Sequence, residues 1–181
     1  MDKTQILRIS PVATRSAHET VVPIDRDLMQ RKAADASRSV RRREIHNFHK
    51  GDSDTLQRML NAIQPGSYIR PHRHLNPPKA ESIILLHGSL AFARFTDDGS
   101  LHEKECILID AARGVHGCDI RAGVWHTIFA LVPDTVVFEV KPGPYDPTID
   151  KEFAPWSPPE GSPETATFLA KLEDRFRRLA I

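Results

Sequence analysis

From residue 44 onward the chain is a succession of short apolar runs, at 56–63, 82–86, 90–95, 101–109, 118–120, 127–131 and 136–140. Turn-forming residues cut each one before it reaches helix length: Gly51-Asp52-Ser53-Asp54, Pro65-Gly66, Gly88, Asp97-Asp98-Gly99, Gly114 and Gly123. Asp-Gly at 98–99 adopts positive φ readily and marks a hairpin. Short strands at regular spacing, with no helical pattern between them, call for an antiparallel double sheet or barrel. The runs 82–86 and 127–131 are apolar on both faces. A solvated sheet alternates, so something must cover their outer sides: the N-terminal arm, a helix or a second subunit. A homodimer is the expectation, because large apolar patches are rare on monomers.

Helical periodicity occurs only near the two ends. Residues 25–38 place Leu28, Met29, Lys32, Ala33 and Ala36 along one side, with Asp25 or Asp27 available as cap. Ser162-Pro163-Glu164 is a helix start, and Phe168, Leu169, Leu172, Phe176 and Leu179 form an apolar stripe behind it. Between them, residues 138–160 are too rich in proline and aromatic side chains for a free linker and are expected to pack over the barrel. The chain thus divides into an N-terminal arm and helix (1–43), a β-barrel (44–145) and a C-terminal segment and helix docked on it (146–181).

Chemistry concentrates between Gly66 and Gly88. His72 and His74 are two apart, so in extended chain both imidazoles project to one face, at metal-ligand spacing. Glu81 opens the next apolar run and brings a carboxylate. His46 and His49, three apart, point to opposite faces of a strand and do not chelate together. Cys106 and Cys118 lack zinc-site spacing and are expected to be reduced, buried small apolar residues.

The pattern of Gly66, His72-Arg73-His74, Glu81 and Gly88, followed by Gly-x-x-His at 123–126, resembles the two motifs of the cupin superfamily. Two residues look inserted between His74 and Glu81, and Arg121 stands where the second motif has proline. The phrases HNFH, QRMLNAIQPGSYIRPHRH, GVWHT, FEVKPGPYDP and DKEFAPWSP are similar to those of WbuC-type cupin-fold metalloproteins, a family associated with bacterial surface-polysaccharide clusters. The resemblance implies a mainly β protein, a cupin jelly-roll barrel with a short N-terminal and a C-terminal helix. It also implies a metal set of His72, His74, Glu81 and His126, and a sugar or sugar-nucleotide-like ligand.

Three imidazoles and a carboxylate suit one divalent ion, Zn, Fe, Mn or Ni. On a six-coordinate ion they leave two positions open, which suits an isomerase, an epimerase or a dioxygenase. On tetrahedral zinc they close the site, and a binding or structural role follows. Glu139 and Lys141 are candidate acid/base groups if the polar side of their strand lines the barrel, and structural if it faces out. Arg58 and Arg70 are candidate contacts for an anionic ligand if they face inward, with Tyr68 and Tyr145 as further candidates.

Composition narrows the partners. The formal net charge is +1, which gives no global field for nucleic acid or an anionic membrane surface. Arg38, Arg41, Arg42 and Arg43 form a local cluster suited either to holding a phosphate or to the negative end of the helix dipole, and the solvated helix end is the expectation. No window approaches a membrane span and the first residues lack the apolar core of a secretory signal, so the expectation is a soluble, cytoplasmic protein acting on a small molecule.

Overall fold

The computed structural model describes residues 5–179. Strands β1 (Gln5–Ser10) and β2 (Ala13–Ala17) form a hairpin, and helix α1 (Arg26–Arg38) carries the chain to β3 (Arg43–Asn47). Then follow β4 (Leu56–Ile63), β5 (His72–Arg73), β6 (Glu81–His87), β7 (Ser89–Phe95), β8 (Ile107–Asp110), β9 (Gly117–Ile120), β10 (Trp125–Ala130), β11 (Thr135–Pro142) and β12 (Glu152–Phe153), and helix α2 (Glu164–Leu179) ends the described chain.

Strand order identifies the architecture. One sheet runs β1-β2-β3-β4-β11-β6-β9 and the other β12-β5-β10-β7-β8. Counting the eight strands from β4 to β11, the first sheet holds the first, eighth, third and sixth, and the second holds the second, seventh, fourth and fifth. That interleaving is the jelly roll, and the expected mainly β barrel with two helices is the fold observed. The sheets face each other across Ile63, Ile83, Leu85, Leu90, Phe92, Ile109, Ile120, Ile128 and Val137. At the β6–β7 turn Gly88 has φ +86°, and a Cβ there would lie 2.8 Å from the Thr135 Cα, so both conformation and space require glycine.

The helices cover the outer faces. Asp25 accepts from the Leu28 backbone N–H at 2.9 Å and caps α1. The helix lays Leu28 and Ala36 on Phe48, Leu60, Ala62 and Val136. Helix α2 sets Leu169, Leu172 and Phe176 against Ala91, Ala93, Phe95, Trp125 and Phe129, with the Phe176 and Phe129 rings edge-to-face at 5.2 Å. Leu179 lies outside the residues whose side chains are described.

Some expectations change. The run 101–109 is not one strand: Leu101 makes a single bridge to Phe95, a helical turn follows at 103–105, and pairing resumes at Ile107. The arm does more than flank the barrel. Strands β2 and β3 are parallel, with α1 as their crossover, so the first sheet grows by an element the turn pattern did not reveal. Helix α2 supplies the cover expected over β10. Among the described residues nothing covers the outer face of β6, with Ile84 and Leu86 46% and 38% exposed. Among the described residues no helix is long and apolar enough to cross a membrane.

Truncating Phe176 removes a ring 4% exposed at the centre of the α2 contact. Phe176→Ala is expected to cost about 3–5 kcal/mol in urea unfolding, with the β signal in circular dichroism retained. A cost below about 1 kcal/mol would show that α2 does not hold to the sheet as described.

Candidate metal centre

Four buried side chains meet at one mouth of the barrel. His72 comes from β5, His74 from the residue after that strand, Glu81 opens β6 and His126 lies in β10 directly across from His72. One donor atom from each falls within 4.8 Å of the others. The rings of His72 and His126 are 4.6 Å apart, those of His72 and His74 5.2 Å, and Phe92 stacks beneath His126 at 5.8 Å. The two residues between His74 and Glu81 that look inserted leave the cluster undisturbed. They form a tight turn in which Leu75 bridges to Pro78, and Glu81 keeps its inward place.

The hydrogen bonds determine which nitrogen each ring offers. His72 Nδ1 donates to Arg70 O at 2.9 Å, His126 Nδ1 to Val124 O at 2.9 Å, and His74 Nδ1 to Asp150 O. A carbonyl only accepts, so each Nδ1 carries a proton and each Nε2 is the nitrogen turned to the centre, where the neutral ring presents a lone pair. His74 Nε2 is buried with no hydrogen-bond partner, and Glu81 Oε2 is 3.6 Å away. Burial of an unpaired nitrogen is unfavourable unless something else occupies its lone pair. His126 Nε2 and Glu81 Oε1 are 2.6 Å apart, a separation that requires a proton, or a cation in its place, between them. The donor set, its tautomers and the orphaned nitrogen all fit a divalent metal ion.

Around this cluster lies a ring of charges. Burial works against ionisation of Glu81, but its hydrogen bond to His126 and the charges of His126, His74 and Lys141 hold the carboxyl below the usual range. On β11, Val137, Glu139 and Lys141 point inward while Val136 and Phe138 face α1, so the polar side of that strand lines the barrel. Glu139 pairs in register with Ile83, which places it diagonally from Glu81, roughly 7 Å away by sheet geometry. Burial, then the Glu81 charge, pushes its carboxyl up. Asn61 Nδ2 donates to Glu139 Oε2 at 2.6 Å. Lys141 Nζ is 2.7 Å from Asp150 Oδ2, and Lys79 Nζ is 3.0 Å from Asp150 Oδ1.

The other candidates lie elsewhere. Arg58 shares the outward side of β4 with Leu60 and Ala62 and approaches Phe48 O, so it does not reach the barrel interior. Tyr68 packs against Phe168 and donates to Pro158 O. Arg70 donates to Ser157 Oγ and Ala154 O, pinning the C-terminal strap. Tyr145 sits at the rim with the Lys141 ammonium 5.8 Å from its ring centroid. Of the arginine cluster, Arg38 pairs with Asp35, and Arg41 and Arg43 with Glu160. His46 is bonded to Thr14 and Ser16, away from any metal cluster. The residues missed by sequence reasoning are Asn61, Lys79, Asp150 and Lys151. Asn61 sits two before Ile63 on the inward side of β4, a signal available once strand phase is known. Asp150 and Lys151 belong to no periodic element and gave none.

Residues 24–107 match a family model described as a domain of unknown function, DUF6016. No curated protein matches the chain. Among solved structures the chain is similar to CapF crystallised with the inhibitor 3-isopropenyl-tropolone, at 24% identity and TM-score 0.48, covering 60% of this chain and 31% of that one. It is also similar to CapF, a capsular polysaccharide assembling protein from Staphylococcus aureus, at 22% and 0.45, over 60% and 31% of the two chains. KdgF from Halomonas sp. matches at 14% and 0.45, over 59% and 83%. The chain thus spans about a third of the CapF length, and the fold assignment rests on the strand order above.

Burial holds the His74 ring down at about 4 and leaves His72 well below its ordinary value, with Lys151 the next cause for His72. Unfolded histidines take up protons near 6.5, so between about 6.5 and 4 the unfolded chain binds more protons than the native one. Stability of the metal-free protein is therefore complete above pH 6.5 and is lost as pH falls toward 4, by on the order of 2–3 kcal/mol from His74. Urea midpoints measured across pH 4–8 test this; a flat profile in the native protein would contradict the neutral, buried rings.

Proposed function

We propose that this chain is a mononuclear metalloprotein whose His72, His74, Glu81 and His126 hold one divalent ion, zinc, iron, manganese or nickel, and that it acts on a small polar molecule at the open side of that ion. One observation carries the reading: three Nε2 lone pairs and a carboxylate converge within 4.8 Å, with the opposite nitrogen of every ring committed to a carbonyl. The sugar or sugar-nucleotide class, and a link to surface polysaccharide, come from the resemblance of the HRH, GVWH and APW phrases to WbuC-type proteins.

A divalent ion bound there supplies Lewis-acid polarisation of a ligand oxygen. The chain's own groups do the rest. Glu139, with Oε2 engaged by Asn61 and a carboxyl raised by burial and by Glu81, keeps Oε1 outside hydrogen-bond reach of the Lys141 ammonium, 4.0 Å away, to hold or move a proton at the ligand. Lys141 is bound to Asp150, and the Glu139, Asp150 and Glu81 charges outweigh burial to keep it an ammonium, so it orients and balances charge. Phe92 closes the floor beneath His126 and excludes water from below. This favours proton-transfer chemistry of the isomerase or epimerase kind over a closed structural site.

Protein purified without added metal is expected to carry about one divalent ion per chain by elemental analysis, and His126→Ala to lose it by on the order of 100-fold in affinity while the β spectrum stays. Glu139→Gln is expected to keep the metal and lose turnover of any sugar-nucleotide substrate found by a binding screen. A native protein that holds no metal and takes up none ends the reading.

A further inference from the structure

Among the described residues, Lys151 is the one charged group at this mouth without an ion pair or hydrogen bond. It lies in the strap between Asp150, which is bonded to Lys79, Lys141 and His74, and Glu152, which pairs with Arg73. Among the described residues Lys151 makes no ion pair and no hydrogen bond. Its side chain is exposed to solvent, and the antiparallel register of β12 on β5, with Phe153 opposite His72 and Glu152 opposite Arg73, puts Lys151, one step further along, on the side of the strap that His72 and His74 share. The groups within range of its charge are those of the site: His72, His74, Glu81, Glu139, Lys141 and Asp150.

The charges of the cleft are unbalanced in one direction. Asp150 is shared by Lys79 and Lys141, leaving one positive charge in excess. A divalent ion on Glu81 leaves a second, and Glu139 offsets one at most. Lys151 adds a cation for which the chain provides no counter-charge. Burial and the neighbouring Lys141 both disfavour that ammonium, a cost that an incoming anion would offset.

We propose that Lys151 is an anion-binding residue of this cleft, and that the ligand taken beside the metal centre carries an oxyanion, either a carboxylate or a phosphate. The inference rests on the metal reading above and adds to it the charge of the ligand. Lysine suits the role as a compact point charge on a flexible stem, able to reach an oxyanion whose other end faces the centre.

The test uses the full chain in its metal-loaded form, with glucuronate and inorganic phosphate as probes and glucose as the neutral control, followed by calorimetric titration. Metal content is measured first on the native protein and on Lys151→Met and Lys151→Arg. Expected are equal metal in all three, anion binding at least tenfold weaker in Lys151→Met, recovery in Lys151→Arg, and little response to glucose in any. The preferred probe distinguishes carboxylate from phosphate. Equal metal with undiminished anion binding in Lys151→Met, or no anion binding by the native protein, overturns the inference and leaves the metal centre standing. No metal in the native protein overturns both.

Discussion

Three hydrogen bonds from imidazole Nδ1 to backbone carbonyls are the constraint on which the centre depends. Two are local: His72 and His126 each use the carbonyl two residues earlier, Arg70 and Val124, so the strand entry alone settles their tautomer. The third is not. His74 donates to Asp150, 76 positions later, which makes its correct presentation conditional on the C-terminal strap being in place. Each such bond is modest in net energy, about 1 kcal/mol, but its effect on chemistry is larger, because the wrong tautomer would point a proton at the metal position.

The strap is held there by charge. Asp150 is 3% exposed, and each of its oxygens takes a lysine ammonium. Burying three ions is costly, and such a set is stabilising only while it stays complete; removing one member commonly costs about 3–5 kcal/mol because the others are left unpaired. The same residue therefore performs two tasks with different atoms. Its carboxylate locks the strap to Lys79 of the turn before β6 and to Lys141 of β11, while its carbonyl orients His74. Backbone bonds extend the seam, Ala154 N to Pro71 O at 2.9 Å, with Arg70 and Arg73 clamping Ala154 and Glu152.

Much of this was legible in the sequence wherever a period or a fixed spacing carried it. A double sheet or barrel followed from short apolar runs and their turns, α1 from one amphipathic stripe with an aspartate cap, and His72 and His74 from His-x-His; the jelly roll and His126 came from the resemblance to the cupin motifs. Glu81 was legible despite the longer gap, because the apolar run it opens sets its phase, and the added residues fold into their own turn at 75–78. The side to which Glu139 and Lys141 point was not readable, since their strand carries apolar residues on both faces: Val137 lies inward, Val136 and Phe138 outward beneath α1. Arg58, Arg70 and Tyr68 looked like ligand contacts by residue type, but strand phase and the strap decide where they go. The α1 crossover was hidden because parallel pairing of β2 with β3 leaves no mark in a five-residue strand.

The inward column of each central strand turns polar toward the same end of the barrel. On β6 it runs Leu85, Ile83, then Glu81; on β11 Val137, then Glu139 and Lys141; on β10 Ala130, Ile128, then His126; on β4 Ile63, then Asn61. The antiparallel register turns these changes toward the same end of both sheets, staggered by a residue pair from strand to strand, so one end of the barrel is an apolar plug and the other a polar mouth. A close-packed apolar plug keeps the effective dielectric low beneath the charged groups, which strengthens each interaction above it. That asymmetry explains why ionisable groups so close together are sustained at all: each rests on apolar packing on one side and is balanced by a neighbour on the other. Lys151, standing on the open side, is the group for which the balance is left to whatever enters.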